Sequence, residues 1–251
     1  WTTAYQSQKR SIISATTTSQ FKYLRRKIIM EQLKQNFNFL KLNFLAENFE
    51  ELFEQAKEKK LDKVDFVEQL ILAEVAEKKQ RAVERRIKAA RIPVLKTLDH
   101  FNLAYPQKID AEAVRYLFRL HFLEASKNVI FCGGVGLGKT HLASALALEA
   151  CKRAYSTLFV SAVEIINALN EAQKNGRLSR ALRRFTNVKL LVIDELGYMP
   201  IDKKGCDLLF QVISGRYEKG STIFTTNRTY KDWSIIFNND AVVTSAILDR
   251  V

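Results

Sequence analysis

Eight residues constrain this chain more than any other stretch: Gly133-Gly134-Val135-Gly136-Leu137-Gly138-Lys139-Thr140. They satisfy the pattern G-x-x-x-x-G-K-[ST] in full. The apolar run Asn128-Val129-Ile130-Phe131-Cys132 precedes them and reads as a buried strand. The Ala- and Leu-rich segment His141 to Ala150 follows, with no breaker, and reads as a helix. Glycines allow backbone angles that turn successive N–H groups toward phosphate oxygens. The N-terminus of the following helix adds partial positive charge at the same place. Lys139 supplies a full charge to β- and γ-phosphates, and Thr140 offers a hydroxyl to Mg²⁺. A Gly-rich turn without a ligand is the bland alternative, and the flanking strand and helix speak against it. The stretch, with His141 after it, is the expected nucleotide-binding set.

A second signal is Lys189-Leu190-Leu191-Val192-Ile193-Asp194-Glu195. Apolar residues fill a central strand, and two carboxylates stand at its C-terminal end, where parallel sheets place ligands. Asp194 can hold Mg²⁺ through water, and Glu195 can polarise an attacking water. Ile223-Phe224-Thr225-Thr226-Asn227 reads as another strand. If it neighbours both loop and acidic strand, Asn227 can orient the lytic water or touch the γ-phosphate; an ordinary Asn in a turn is the other reading. Arg250 is either an arginine finger across a subunit boundary or a helix-end cation.

Around these motifs the chain alternates in a parallel-sheet manner. Strands are predicted at 128–132, 157–160, 188–193 and 221–226. Helices are predicted at 110–125, 141–150, 162–175, 177–185, 205–217 and 241–250. The fold class is therefore α/β, with the ATPase-type core expected over 93–251. Before it, residues 31–91 contain neither Gly nor Pro. Leu33, Phe37, Leu40, Phe44 and Leu45 mark one helical face, which Phe49, Leu52 and Phe53 continue. Asp62 or Asp65 is expected to cap a further helix carrying Phe66, Val67, Leu70, Ile71 and Val75. A small all-helical domain is expected over 30–92. Residues 1–29 hold six cations, no acid and no periodicity, and read as a disordered basic extension ahead of Met30. An Arg-rich targeting sequence is the weaker reading.

The formal charge of +13 points to a polyanionic partner, most simply nucleic acid. Clusters matter more than the total. Residues 174–185 carry five cations, Lys174, Arg177, Arg180, Arg183 and Arg184, and no acid. Arg177, Arg180 and Arg184 recur at helical spacing, so phosphate contact independent of base sequence is preferred over a solvated face. Lys78 to Arg91 has seven cations against Glu84, where a solvated helix end and a nucleic-acid contact compete. The three cysteines and three histidines share no ligand spacing, which argues against zinc and suits a reducing cytoplasm. No apolar run approaches the roughly 20 residues of a membrane span.

The words GGVGLGKTHLASAL (133–146), KLLVIDELGYMPIDKKGCDLLFQVISGRYEKGSTIFTTNR (189–228) and ILDR (247–250) resemble the IstB transposition-helper ATPases of insertion sequences. These are AAA+ proteins similar to DnaC-type helicase loaders. The resemblance runs from Met30 to Val251. It implies a three-layer αβα AAA+ core that assembles with ATP and Mg²⁺ into a homo-oligomer on duplex DNA and delivers that DNA to a cognate transposase. It carries Lys139 and Thr140 to phosphate and Mg²⁺, and Asp194 and Glu195 to Mg²⁺ and water. Asn227 matches the sensor position and Arg250 the arginine that completes a neighbour's site. The basic segment 174–185 falls where initiator-type relatives carry a helical DNA-binding element. Family members usually continue past ILDR with a tail and a final strand, so the resemblance implies a core truncated at Val251. A helicase loader, an ATP-holding DNA module without turnover and a small-molecule kinase are the competing readings.

Overall fold

With no Gly or Pro ahead of Pro93, nothing interrupts long helices in the first part of the chain. The computed structural model describes the backbone of residues 2–105 and 109–251 and the side chains of residues 20–105 and 109–251. Helices α1 (Thr2–Phe39), α2 (Asn43–Glu58) and α3 (Lys63–Ala90) come first. The irregular extension expected over residues 1–29 is instead helical from Thr2, because that stretch lacks any breaker. The expected cations Lys9 and Arg10 have side chains outside the described residues. Two compact units divide the chain, Trp1–Arg81 and Ala82–Val251. The division falls inside α3 and not at the expected residue 92.

In the first unit Phe37, Phe49, Phe53 and Phe66 form one aromatic cluster, with ring centroids 5.3–6.2 Å apart. Asp62 caps α3 by accepting from the N–H groups of Val64 (2.7 Å) and Asp65 (2.9 Å). Glu74 is buried and accepts from Leu45 N at 3.0 Å, so a carboxylate from α3 meets the N-terminus of α2. The expected apolar face is only partly covered: Leu45 and Leu70 are buried, whereas Val67, Ile71 and Val75 are exposed.

The second unit follows the alternating pattern closely. Its elements are α4 (Ala111–Leu117), α5 (His121–Glu124), β1 (Val129–Cys132), α6 (Lys139–Lys152), β2 (Thr157–Ser161), α7 (Ala162–Lys174) and α8 (Leu178–Thr186). Then come β3 (Leu190–Leu196), α9 (Lys203–Arg216), β4 (Ser221–Thr226), α10 (Trp233–Ile236) and α11 (Ala241–Leu248). The single helix expected over 110–125 is broken in two, because Leu120 adopts a left-handed conformation (φ 64°).

Among the described residues the four strands form one parallel sheet in the order β1-β4-β3-β2. Alternate residues feed two cores. Leu158, Val160, Leu191, Ile193 and Phe224 pack with α7, α8, α9 and the C-terminal helices. Phe159, Leu190, Val192 and Ile223 pack on the other face with α5 and α6. The layers are therefore αβα, and β3 at the centre reads as a continuous apolar run because both its faces are covered. Each buried Leu or Ile contributes about 1.5–3 kcal/mol.

Arg216 closes the far end of the sheet. It is buried and donates to Phe185 O and Val188 O (both 2.8 Å), to Thr222 Oγ1 (3.0 Å), to Lys189 O (3.3 Å) and to Ser221 O. Burial without a carboxylate pushes the pKa of its guanidinium down to about 10.

Candidate nucleotide-binding site

Because β4 lies between β1 and β3, the segments that leave these three strands at their C-terminal ends converge. The loop 133–138 leaves β1, and Gly133 N donates to Thr226 O of β4 at 3.1 Å. Gly136 (φ 78°) and Gly138 (φ 81°) take left-handed angles, and Gly138 is the N-cap of α6. A Cβ on Gly138 would stand 2.4 Å from Cε2 of Phe101, so the ring lies directly against the loop backbone. Lys139 Nζ, at the start of α6, donates to Gly134 O at 2.7 Å and so reaches back over the loop.

The acidic end of β3 is irregular. Ile193 pairs with Phe224, but the next pair is Leu196 with Thr226, so Asp194 and Glu195 together face Thr225. This bulge gives Glu195 a φ of 60° and turns its side chain out to solvent. Asp194 stays buried and accepts at Oδ1 from Thr140 Oγ1 (3.1 Å) and from Thr225 Oγ1. The loop hydroxyl and the strand carboxylate, expected to share a metal, are thus in direct contact.

A cavity of about 300 Å³ is lined by Thr140 and Thr225, whereas Asp194, buried behind these two hydroxyls, is not part of its lining. Of the expected nucleotide set, Val135, Gly136, Gly138, Lys139, Thr140 and His141 line it, while Gly133, Gly134 and Leu137 complete the loop without lining it. Glu195 and Asn227 line it as well. Asn227 Oδ1 is buried and has no hydrogen-bond partner among the described residues, an unsatisfied acceptor at the edge of the cavity that Asn227 lines. A pair of oxygen ligands from Thr140 and Asp194 fits Mg²⁺, which keeps most of its shell as water and substrate phosphate. The donor set therefore fits a nucleoside triphosphate with its cation.

The linker that leads into the core folds back on the loop. His141 Nε2 lies 3.0 Å from Thr97 O, Thr97 Oγ1 lies 2.8 Å from His100 Nδ1, and Phe101 meets His141 edge-on at 5.2 Å. Lys96 and Tyr198 also line the cavity. Thr97-Leu98-Asp99-His100-Phe101 falls within the stretch that resembles the family, as a linker near which an adenine contact is possible, and its fold-back puts it at this cavity.

Two sets of expected residues lie apart from this cavity. Arg250 sits by the N-terminal ends of the strands: Asn128, which precedes β1, donates to Arg250 O at 3.0 Å. Its guanidinium donates to Ala246 O (2.6 Å) and lies over Phe210 (5.2 Å) and Tyr217 (6.0 Å). A strand's length, about 15 Å, separates that end from the phosphate loop. Lys174, Arg177, Arg180, Arg183 and Arg184 are all exposed on α8 and its approach, while Leu178, Ala181, Leu182 and Phe185 turn inward. Arg184 and Arg91 line a second cavity of about 520 Å³ that also reaches Asp194 and Glu195. Of the other basic run, Lys78 pairs with Glu74 (3.6 Å) and Arg81 with Glu77 (2.7 Å). No helix of the described residues is long and apolar enough to cross a membrane.

Known proteins resemble this chain in sequence and in fold. The family model described as IstB-like ATP binding protein matches residues 35–251. The insertion sequence IS21 putative ATP-binding protein of Pseudomonas aeruginosa is 38% identical over 222 residues, covering 88% of this chain and 83% of that protein. The corresponding protein of insertion sequence IS5376 from Geobacillus stearothermophilus is 35% identical over 221 residues, 88% of each chain. Among solved structures, the DnaC helicase loader superposes with a TM-score of 0.51 at 24% identity, over 66% of this chain and 95% of that one. AMPPCP-bound DnaA from Aquifex aeolicus gives 0.53 at 23%, over 62% and 48%. These structural likenesses establish an AAA+ P-loop fold.

Proposed function

The chain belongs to the IstB-like ATP-binding proteins of insertion sequences, and from that premise we propose that it is an ATP-dependent transposition helper, assembling on duplex DNA and delivering it to a transposase while hydrolysing ATP. The observation that carries the hydrolytic part is the cavity that Lys139, Thr140, Glu195 and Asn227 line together. Lys139 exchanges its bond to Gly134 O for phosphate oxygens, supported by the loop N–H groups and the α6 N-terminus. Thr140 and Asp194 would hold Mg²⁺, which would supply charge neutralisation at the phosphates. Glu195, exposed at the bulge, takes the proton of an attacking water, and the Asn227 amide at the cavity wall orients that water.

Arg250 is too far from its own chain's cavity to act there, so its service requires a second copy, and the working form is a homo-oligomer. Duplex DNA lies along the exposed cations of α8, whose inward face is committed to the core.

ATP turnover with and without duplex DNA tests the proposal. DNA-stimulated hydrolysis is expected, falling at least about 10²-fold in Glu195→Gln. ATP-dependent DNA binding with no turnover, alone or with the transposase, refutes the hydrolytic part. Stimulation by a replicative helicase in place of a transposase refutes the assignment of partner.

A further inference from the structure

One buried hydroxyl touches both acidic residues of the site. Thr225 is 1% exposed and lies opposite the two-residue bulge of β3. Its Oγ1 accepts from Glu195 N at 3.0 Å and donates to Asp194 Oδ1, so the donor and an acceptor site of the hydroxyl are both used. The same Asp194 oxygen receives Thr140 Oγ1. Glu195, at φ 60°, holds a conformation unfavourable for a side-chain-bearing residue, and such a conformation persists only where neighbours enforce it. Two hydrogen bonds hold its backbone there, the one to Thr225 Oγ1 and one from Tyr198 N to Glu195 O (3.3 Å).

We propose that Thr225, which lines the cavity while only 1% exposed, is a positioning residue that aims Glu195 and orients Asp194 through a single hydroxyl, so that the rate of hydrolysis and the Mg²⁺ requirement depend on it and nucleotide affinity at saturating Mg²⁺ does not. The inference rests on the hydrolytic reading of this site. Without the hydroxyl, Glu195 N–H loses its acceptor and the bulge is free to flatten, which swings the carboxylate away from the cavity. Asp194 at the same time loses one of its two hydroxyl donors and turns on its remaining bond to Thr140. Valine keeps the shape and removes both bonds; serine keeps both bonds and removes only a methyl group.

The test uses the full chain. Turnover, the Mg²⁺ concentration giving half-maximal rate, and affinity for a non-hydrolysable ATP analogue are compared for wild type, Thr225→Val and Thr225→Ser. Thr244→Val is the control, removing another buried hydroxyl, bonded to Asp240 O at 2.6 Å, on α11 away from the cavity. In Thr225→Val, kcat is expected to fall about 10²-fold, with analogue affinity at saturating Mg²⁺ unchanged and the Mg²⁺ requirement raised. Thr225→Ser recovers turnover, and Thr244→Val keeps it. Wild-type kcat in Thr225→Val, a parallel loss of affinity, or failure of serine to recover turnover overturns the inference while leaving the hydrolytic reading intact. If thermal melting shows Thr225→Val to be unfolded, Thr225→Cys, with its weak S–H donor, decides in the same way: an intermediate kcat supports the inference and a wild-type kcat overturns it. If wild type itself hydrolyses nothing, the hydrolytic reading has failed. Thr225 is then judged by the Mg²⁺ concentration at which the analogue reaches its full affinity: Thr225→Val should raise that concentration and leave the affinity at saturating Mg²⁺ unchanged, and an unchanged Mg²⁺ requirement overturns its role.

Discussion

Replacing Gly138 by alanine should damage the nucleotide site through two separable effects. The backbone stands at φ 81°, ψ 19°, and an L residue there costs about 1–2 kcal/mol. The new Cβ would also stand 2.4 Å from Cε2 and 3.2 Å from Cζ of Phe101, against ordinary contacts near 3.4–4 Å. The ring must move by about 1 Å, which gives up its edge-on approach to His141, worth about 0.5–1.5 kcal/mol, and part of its packing. Gly138→Ala should therefore lose about 2–4 kcal/mol of stability by thermal or urea unfolding. It should also bind ATP more weakly, because Lys139 and Thr140 follow directly. Phe101→Ala removes the clash but not the strain. In the double mutant the loss should be smaller than the sum of the single losses by about 1–2 kcal/mol. Strict additivity would refute the contact between linker ring and loop as the second cause. A Gly138→Ala protein of wild-type stability and affinity would refute both.

Other outcomes follow from the same geometry. Arg216→Met removes the donor to Phe185 O and Val188 O, each costing about 1–3 kcal/mol when left unpaired, offset in part by relief of the buried charge; a net loss near 2 kcal/mol should appear in urea unfolding. Burial and the charges of Asp202, Asp207 and Asp240 push the pKa of the Cys206 thiol up to about 11, above the ordinary 9.0. Its contribution to stability is therefore complete below pH 9 and lost as pH rises toward 11, and wild type should lose more stability over that window than Cys206→Ala. At pH 8 a thiol reagent should modify the exposed Cys132 first, with Cys151 and Cys206 reacting only on unfolding. Mixing Arg250→Ala with Lys139→Ala should restore turnover that neither shows alone, since each supplies what the other's site lacks; no recovery would count against service between copies. Arg180→Glu with Arg184→Glu should weaken duplex binding and lower the salt slope by about 0.9 for each phosphate no longer neutralised.

The phosphate loop, the acidic strand end and the order of strands and helices were legible in the sequence because each depends on neighbours within a few residues. Glycines at fixed spacing, an apolar run closed by two carboxylates and an Ala- and Leu-rich helix are local statements, and the structure returns them within a residue or two at most boundaries. Asn227 was placed by one further inference, the adjacency of β4 to both β1 and β3. The helix break at Leu120 left no local mark, since a leucine at φ 64° is held by its surroundings and not by its own preference. The bulge at Asp194 and Glu195 arises from pairing against a strand 30 residues later, so Thr225 looked like any strand threonine. The linker from Lys96 to Phe101 became part of the site only when it folded against Gly138 and His141. Arg250 could not be placed by motif logic and was singled out only through the family resemblance, and only the tertiary structure put a strand's length between it and the loop of its own chain. Which chemistry this protein can carry was written in short-range patterns; how its carboxylates are aimed, and how far its last arginine stands from its own phosphate loop, depends on contacts between residues far apart in the chain, which no local pattern encodes.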